Sequence, residues 1–320
     1  MSLLAELESA AKIVYQGMQP TPQLAWPLLA QRVGTELWVK HENHTPIGSF
    51  KARSGPVYLD WLRRDQPDAR GVICATRGNF GQSVAFGARR YSIPTVVVVP
   101  HGNSIEKNNA MVALGAQLVE HGRDFQDAYE YAARRAEQDG LHMVRSFHRL
   151  LWLGAASYGL ELLRAVPDLH TVYVPIGQGS GVCGLVAARD ALNRNARIVG
   201  VVPKNAEAWA LSFGAKRSIS TASAETIADG MACRVPDPEA LAIILRGVER
   251  VVTVSEEEIH AAMRHYFADT HNVAEGAGAA PLAAVIKECA VVRGKTVAVI
   301  LSGGNVDQSV YQQVLAAAAA

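Results

Sequence analysis

The sequence predicts an α/β fold built from mainly parallel sheets. Short runs rich in β-branched residues alternate with amphipathic helical stretches along most of the 320 residues. These runs are almost continuously apolar, which is typical of parallel strands covered by helices on both faces. The predicted strands are 36–40, 72–75, 95–99, 117–120, 171–175, 197–202, 251–254 and 296–301, and the clearest helices are 80–91, 105–114, 125–138 and 182–193.

Local signals define several helix ends. The first 17 residues read as an amphipathic helix. Ser104 is placed to cap one helix and Gly115 to follow its end. Ser255 with Glu258 has the spacing of a capping box. The alanine run 316–320 is expected to be a frayed helix end.

The chain is expected to contain two sheets. The strand–helix units between about 71 and 147 could form a small sheet of their own. We therefore predict a smaller domain over 66–147 and a larger one over 1–65 plus 148–320. No Gly/Ser-rich linker marks the boundary, so the division depends on the alternation of elements alone.

Composition excludes several classes of protein. Apolar residues make up 49% of the chain, charged residues 19%, and the net charge is +1, so no basic surface for nucleic acid is expected. No apolar run reaches the length of about 18 residues that spans a membrane, and the N-terminus carries acidic residues where a signal peptide is basic. We expect a cytoplasmic protein. The widely spaced cysteines indicate neither a disulfide framework nor a zinc site: Cys74, Cys183, Cys233 and Cys289.

Lys51 lies in the segment GSFKARSG, which follows a predicted strand. Gly48 supplies a turn and Ser49 is a plausible N-cap, so a helix is predicted from there through Trp61. A lysine in the first turn faces the positive end of the helix dipole, which would lower its pKa. By position alone, Lys51 is either a solvated cation or an activated amine.

Four segments together carry a family resemblance. They are GSFKAR (48–53), CATRGNFGQS (74–83), VPIGQGSGVCG (174–184) and VAVILSGGNVD (297–307). In this order and at these separations they resemble the fold-type II pyridoxal-5′-phosphate (PLP) enzymes, and most closely the threonine dehydratase and serine racemase family. Two shorter matches, ETIADGMA (225–232) and AEGAGAA (274–280), support the resemblance. It implies two open, twisted, mainly parallel α/β domains with the cofactor between them, as in the β-subunit of tryptophan synthase.

The resemblance implies a role for each segment. Lys51 would carry PLP as a Schiff base and act as the catalytic residue. The segment after the second strand would grip the substrate carboxylate, whereas a glycine-rich loop would hold the cofactor phosphate and a serine would face the pyridine nitrogen. The implied cofactor-binding residues are Phe50, Lys51, Asn79, Gly177, Gln178, Gly179, Ser180, Gly181, Gly230, Glu275 and Ser302, and the implied substrate-binding residues are Thr76, Arg77, Gly78, Asn79 and Phe80.

The chain departs from the family pattern in three places. Arg77 occupies the position of the proton-donating serine of serine racemases, and a guanidinium cannot shuttle protons near neutral pH, which argues against racemisation. Val202 and Ala208 stand where a divalent-cation site has acidic ligands, so we expect no Mg²⁺ or Ca²⁺ there, with the Lys204 ammonium as a possible substitute. The basic stretch 145–149 is either solvated surface charge or a changed side-chain pocket.

We therefore predict a PLP-dependent lyase that acts by β-elimination on an L-3-hydroxy amino acid such as threonine or serine, giving a 2-oxo acid and ammonia. The alternatives are a β-replacement synthase of the same fold, or a dehydratase for a bulkier or acidic substrate such as 3-phenylserine or 3-hydroxyaspartate. A non-enzymatic phosphate- or nucleotide-binding module using the glycine loop is the remaining possibility. The family resemblance also implies a homodimer, and the chain ends soon after the SGGN segment, so no C-terminal regulatory domain is expected.

Overall fold

The computed structural model describes residues 1–317, and its strands form two separate sheets. The strands are β1 (Gln23–Ala25), β2 (Leu37–His41), β3 (Val72–Ala75), β4 (Thr95–Val99), β5 (Gln117–Glu120), β6 (His142–Met143), β7 (Thr171–Pro175), β8 (Arg197–Pro203), β9 (Arg250–Val254) and β10 (Val297–Leu301). Within the described residues, the larger sheet has the order β1-β2-β10-β7-β8-β9 and the smaller sheet the order β5-β4-β3-β6. Among these ten strands of residues 1–317, each pairing is parallel except that of β1 with β2, which confirms the predicted fold class.

Helices connect the strands in alternation. They are α1 (Leu3–Val14), α2 (Pro27–Val33), α3 (Ser54–Asp65), α4 (Asn79–Arg89), α5 (Ile105–Ala113), α6 (Phe125–Asp139), α7 (Arg149–Ala165), α8 (Ser180–Ala191), α9 (Ala208–Ala215), α10 (Pro238–Gly247), α11 (Glu256–Thr270), α12 (Gly276–Lys287), α13 (Cys289–Val292) and α14 (Gln308–Ala316). No helix within residues 1–317 is both long enough and apolar enough to cross a membrane. The predicted frayed end at 316–320 lies largely outside the described residues.

Helices cover both faces of the larger sheet. Val172 and Ile300 point to one side and pack into a core with α1, α7 and α8. Tyr173 and Val299, their neighbours along the same strands, point to the other side and pack with α11 and α12. Because alternate residues of a strand face opposite ways, a sheet buried on both sides needs continuously apolar strands.

The predicted helix signals had mixed outcomes. Ser104 caps α5 by accepting a hydrogen bond from the Lys107 N–H, and Ser255 and Glu258 form the capping box of α11. The helix predicted to begin at Ser49 is wrong in its first part. A 3₁₀ turn covers Phe50–Arg53, α3 begins only at Ser54, and the Ser49 hydroxyl caps neither.

The smaller sheet contains the strands from β3 to β6, which lie within the predicted domain 66–147. The helix α3 joins the two parts, since it packs on α4 from the smaller side and on α7 from the larger side. A Cβ at Gly55 would lie 1.9 Å from the Ser83 carbonyl oxygen, so the backbones of α3 and α4 approach as closely as glycine allows. This close contact holds the two parts together, and the positions of the domain boundaries stay a prediction.

Candidate active site

A cavity of about 150 Å³ lies where several parallel strands end. Thr76 follows β3, Gly177 follows β7 and Ser302 follows β10, so the carboxyl ends of strands from both sheets reach it. Ligands of open α/β sheets bind at such strand ends. The cavity brings together all the predicted site residues: Phe50, Lys51, Thr76, Arg77, Gly78, Asn79, Phe80, Gly177, Gln178, Gly179, Ser180, Gly181, Gly230, Glu275 and Ser302.

Lys51 extends from the 3₁₀ turn into this cavity. Its Nζ donates a hydrogen bond to Ser180 Oγ at 3.1 Å and lies 5.0 Å from the centre of the Phe50 ring and 5.8 Å from that of Phe80. No carboxylate within residues 1–317 pairs with the amine. Burial among these groups lowers the pKa of Lys51 to about 8. The predicted lowering is therefore present, but its cause is burial and not an α-helix dipole, because Lys51 lies outside the α-helix.

The backbone of Lys51 is fixed from the side of the smaller sheet. Ser83 of α4 donates its hydroxyl to the Lys51 carbonyl oxygen at 2.5 Å. The same hydroxyl accepts a hydrogen bond from the Gly55 N–H at 2.9 Å. One buried serine thus ties the start of α3 and the lysine-bearing turn to α4.

A buried charge network fixes the same turn from the other side. Arg53, with no exposed surface, donates to Glu42 and to Glu161 at 2.7 Å each. Lys40 donates to the second oxygen of Glu161 at 2.5 Å. Burial opposes the charge on Glu161, but Arg53 and Lys40 outweigh it and hold the pKa of this carboxyl below its ordinary value. The network contains two cations and two carboxylates, so its formal charges balance.

The loop after β3 is organised by Thr76. Its hydroxyl accepts hydrogen bonds from the N–H groups of Gly78 at 3.0 Å and Gly81 at 3.2 Å. Arg77 is exposed and lines the cavity, and no carboxylate within residues 1–317 forms an ion pair with it. Its guanidinium is therefore available to an anion that enters the cavity.

Asn79 lies at the centre of a chain of polar contacts. Its Nδ2 donates to Glu275 Oε1 at 2.9 Å, and its Oδ1 accepts from Asn305 Nδ2 at 2.7 Å. These contacts define which way the amide points. Burial raises the pKa of Glu275 to about 7, although the nearby Lys107 acts in the opposite direction. The same nitrogen also donates to Glu275 Oε2 at 3.2 Å, and the amide lines the cavity.

The glycine-rich loop forms a close cradle at the start of α8. A Cβ at Gly177 would lie 2.1 Å from the Gly230 carbonyl oxygen, and Gly179 has a left-handed backbone conformation with a φ of 99°. The buried indole of Trp209 donates to the Gly177 carbonyl oxygen at 2.6 Å, and Tyr158 donates to that of Gly181 at 2.6 Å. The N–H groups of a helix's first turn have no partners within the helix, so this loop suits a phosphate.

Ser302 completes the set from the end of β10. Its side chain is buried at the cavity wall, and its backbone oxygen accepts the Phe50 N–H at 2.9 Å. A buried hydroxyl here, a close phosphate cradle and a lysine amine that no carboxylate in the described part of the chain neutralises are the groups that PLP requires. The residues present therefore fit that cofactor.

Sequence reasoning missed an ion pair at the cavity. Lys107 of α5 pairs with Asp229, which lies 122 positions further along the chain, and both line the cavity. Burial opposes the charge on Lys107, but Asp229 and Glu275 outweigh it, so the pKa of Lys107 lies above its ordinary value. Phe125 is a further lining residue that no motif indicated.

The basic stretch 145–149 contributes little to the cavity, where only Ser146 lies. Arg149 pairs with Glu6 of α1, and the His148 ring accepts the Leu150 N–H at the start of α7. Arg145 is exposed. These contacts favour the interpretation of this stretch as surface charge.

The predicted absence of a divalent cation stays a prediction. Val202 and Ala208 are buried without exposed surface, and Lys204 is exposed at the start of a 3₁₀ turn. No group of three or more His, Cys, Asp and Glu side chains within residues 1–317 could hold a metal ion.

Comparisons with known proteins agree with this geometry. A profile described as "Pyridoxal-phosphate dependent enzyme" matches residues 14–303. An L-threonine ammonia-lyase of Thermotoga maritima is 31% identical over 98% of this chain and 78% of its own length. The structure of a processed threonine deaminase isoform 2 from Solanum lycopersicum superposes with a TM-score of 0.93 at 27% identity, covering 99% of this chain and 93% of that one. Maize serine racemase superposes with a TM-score of 0.90 at 25% identity, covering 99% and 97%.

Fold and site together define a PLP enzyme of fold type II. This chain belongs to the family of pyridoxal-phosphate dependent enzymes. Membership excludes the simple phosphate- or nucleotide-binding module that the glycine loop alone would have allowed.

Proposed function

We propose that this chain is a PLP-dependent dehydratase, or ammonia-lyase, for an L-3-hydroxy amino acid such as L-threonine or L-serine, with a 2-oxo acid and ammonia as products. The observation that carries the proposal is the Lys51 amine, which faces the cavity, has no carboxylate partner among residues 1–317 and has a pKa lowered to about 8. An amine that is partly neutral near physiological pH can act as a general base. Similarity to L-threonine ammonia-lyases supports the choice of reaction.

The cofactor would be held by residues from both sheets. Lys51 would bind it covalently, Phe50 would pack on its ring, and Ser302 would hydrogen-bond the ring nitrogen. The phosphate would lie in the loop Gly177–Gly181, with Asn79 at the phenolic oxygen. When bound, PLP supplies a sink for the electron pair released at Cα. Gly230 and Glu275 would complete the contacts.

Residues of the chain would bind the substrate and transfer its Cα proton. The loop 76–80 would bind the substrate α-carboxylate through its backbone N–H groups and the side chains of Thr76 and Arg77. Lys51 would remove the Cα proton. Ser302 offers a hydroxyl at the ring nitrogen where a carboxylate would stabilise a long-lived carbanion, so prompt loss of the β-hydroxyl is favoured. With an arginine at position 77, Lys51 is left as the proton-transfer group at Cα, and racemisation is disfavoured.

A panel of 3-hydroxy amino acids tests the proposal through release of 2-oxo acid. We expect turnover of L-threonine or L-serine by the wild type, loss of at least 1,000-fold in Lys51→Ala, about the size of a general-base contribution, and unchanged turnover in Lys12→Ala. Lys12 is an exposed lysine of α1, so its variant controls for loss of a positive charge. The absence of turnover with every member of the panel would refute the dehydratase proposal while leaving cofactor binding intact.

Arg77 supports a second candidate, a dehydratase for an acidic substrate such as 3-hydroxyaspartate. Its guanidinium lines the cavity and has no ion-pair partner within residues 1–317. A second carboxylate could take that place, at a gain of about 1.5–3 kcal/mol for a charged hydrogen bond. Replacement by leucine should then lower kcat/KM for 3-hydroxyaspartate by tenfold or more beyond its effect on L-serine. An equal effect on both substrates assigns Arg77 to the shared α-carboxylate instead.

Assembly and location complete the proposal. We propose a homodimer, which the family resemblance supports, and domains 1–65 plus 148–320 and 66–147, which the alternation of elements supports. The proposed location is the cytoplasm. Sedimentation of the purified protein tests the dimer. Turnover of serine in the presence of sulfide or indole tests the β-replacement alternative, which predicts a new amino acid in place of the 2-oxo acid.

A further inference from the structure

Four aromatic side chains form a cluster where the chain passes between the two sheets. Tyr58 and Trp61 belong to α3, which precedes the smaller sheet, whereas His142 in β6 and His148 at the start of α7 flank the return to the larger sheet. The Tyr58 ring centre lies 5.9 Å from that of His142 and 5.1 Å from that of His148, and the Trp61 ring lies 6.2 and 6.0 Å from the same two. Two titratable rings therefore hold the return segment (142–148) against α3.

The capping contact of His148 requires an uncharged ring. Its Nδ1 accepts a hydrogen bond from the Leu150 N–H at 3.2 Å and so caps α7. A proton on Nδ1 would remove this acceptor. It would also place a positive charge at the N-terminal end of a 17-residue helix, where the helix dipole is already positive. Neutral His148 is therefore the form that fixes the start of α7.

His142 responds to acid in the same direction. Its Nε2 lies 2.8 Å from the Tyr58 hydroxyl, which can donate to an uncharged ring. Burial and the neighbouring His148 lower the pKa of His142. Protonation of both rings would place two positive charges in one aromatic cluster, which raises the cost of each.

The charges around His148 come from three helices and the return segment. Burial lowers the pKa of His148, and Arg145 and Arg149 act in the same direction, whereas Glu239 of α10 opposes them. Arg149 is paired with Glu6 of α1. The surroundings of the cluster therefore favour uncharged histidines.

The return segment also contacts the cofactor end of the cavity. The Phe147 ring lies 3.6 Å from the place of a Cβ on Gly179, in the loop that would hold the phosphate, and Ser146 lines the cavity. Further along α7, a Cβ at Gly154 would lie 2.2 Å from the Arg53 carbonyl oxygen in the lysine-bearing turn. A displacement of this segment would therefore reach both the glycine-rich loop and the turn.

We propose that His142 and His148 form a proton-operated switch that releases the return segment, and with it the glycine-rich loop, as the pH falls. While uncharged, the two rings hold the segment between α3 and α7. When both are protonated, the cap of α7 is lost, the rings repel each other, and Phe147 no longer supports Gly179. This inference rests on the proposed position of the phosphate in Gly177–Gly181 and on no step of the β-elimination.

The pH window follows from the direction of both pKa values. The folded-state pKa of each histidine lies below the ordinary value of 6.5, so the released segment binds more protons than the held one as the pH falls through 6.5. The held state is therefore stable above that pH and is lost progressively below it.

Loss of PLP from the holoenzyme tests the switch without a substrate. The double variant His142→Gln/His148→Asn has neutral side chains at every pH, and an asparagine oxygen can still cap α7. Between about pH 7.5 and about pH 5.5, we expect PLP release from the wild type to accelerate at least tenfold more than release from the double variant. Tenfold corresponds to a combined difference of about one pH unit in the proton affinities of the two histidines. His101→Asn, at an exposed histidine, is the matched control and should behave as the wild type.

Trp61 provides a second measurement, because a protonated imidazole quenches a neighbouring indole. Emission of the wild-type holoenzyme should fall below about pH 6.5. Trp61→Phe and the double variant should each lack this fall. In the wild type, the emission and the rate of PLP release should share one midpoint.

Three results would overturn the switch. They are equal acceleration of PLP release in the wild type and the double variant, quenching of Trp61 without faster release, and faster release from the double variant already at about pH 7.5. A protein that releases PLP as expected but turns over no 3-hydroxy amino acid would refute the dehydratase proposal alone.

Discussion

Arg53 offers a quantitative test of how the lysine-bearing turn is held in place. The guanidinium has no exposed surface and donates to Glu42, Glu161, Ser157 and Thr21. In Arg53→Met, both carboxylates stay buried while Lys40 is the remaining cation. One negative charge is then left uncompensated inside the protein.

The expected cost follows from that uncompensated charge. Removal of one partner from a buried ion pair typically costs about 3–5 kcal/mol of unfolding free energy. A surface pair costs about 0–1 kcal/mol, and Arg164→Met, which breaks the exposed pair with Glu8, measures that lower case in the same chain. In the double variant Arg53→Met/Glu42→Leu, Lys40 and Glu161 are again balanced, so we expect it to be more stable than Arg53→Met alone.

Urea denaturation of the cofactor-free proteins, followed by far-UV circular dichroism, gives these free energies without a contribution from ligand binding. Arg53→Met and the double variant should also lose Lys51-dependent activity, since Arg53 lies two positions after Lys51 in the same turn. The reasoning is refuted if Arg53→Met costs no more than Arg164→Met, or if adding Glu42→Leu to Arg53→Met lowers the stability further.

Two further predictions concern the cavity itself. The folded-state pKa of Lys51 is about 8 and the ordinary value is 10.5, so the unfolded chain binds more protons between these values and stability rises with pH there. Cofactor-free Lys51→Met should therefore be more stable than wild type at pH 7, by at most about 3 kcal/mol, with a smaller difference at pH 10 by urea denaturation. Greater stability of the wild type at pH 7 would contradict this. Gly177→Ala should weaken cofactor binding at least tenfold in an absorbance titration, because its Cβ would meet the Gly230 backbone, whereas Gly214→Ala, in open space, should not.

The sequence predicted those parts of the fold that short patterns encode. Apolar strands such as 95–99 and 171–175 were predicted with their observed bounds, because continuous β-branched runs have few alternative structures. The strand β6 is only two residues long, and β1 is a three-residue antiparallel edge strand. Neither is long enough to show a recognisable hydrophobic pattern in the sequence. The 3₁₀ turn at Phe50–Arg53 was mistaken for α-helix, because helix-start signals do not distinguish the two types.

The site was predicted where its residues cluster in the chain. Segments 76–80 and 177–181 each follow a strand, and parallel topology brings such strand ends together. The contacts of Lys107 with Asp229 and of Arg53 with Glu161 join residues more than a hundred positions apart. From the sequence alone, each of these residues is interpreted as an ordinary solvated charge, because no local pattern shows that an oppositely charged residue lies beside it in the fold.

Trp209 is an intrinsic fluorophore in contact with the glycine-rich loop. Its indole is buried and donates a hydrogen bond to the Gly177 carbonyl oxygen, so the chromophore contacts the loop that would hold the phosphate. Indole fluorescence responds to its hydrogen bonds and to nearby absorbing groups. Filling of the cavity should therefore quench or shift the emission of this tryptophan, and Trp209→Phe should remove that part of the response. The protein contains its own optical reporter of occupancy, suited to stopped-flow measurement of how fast the loop is filled.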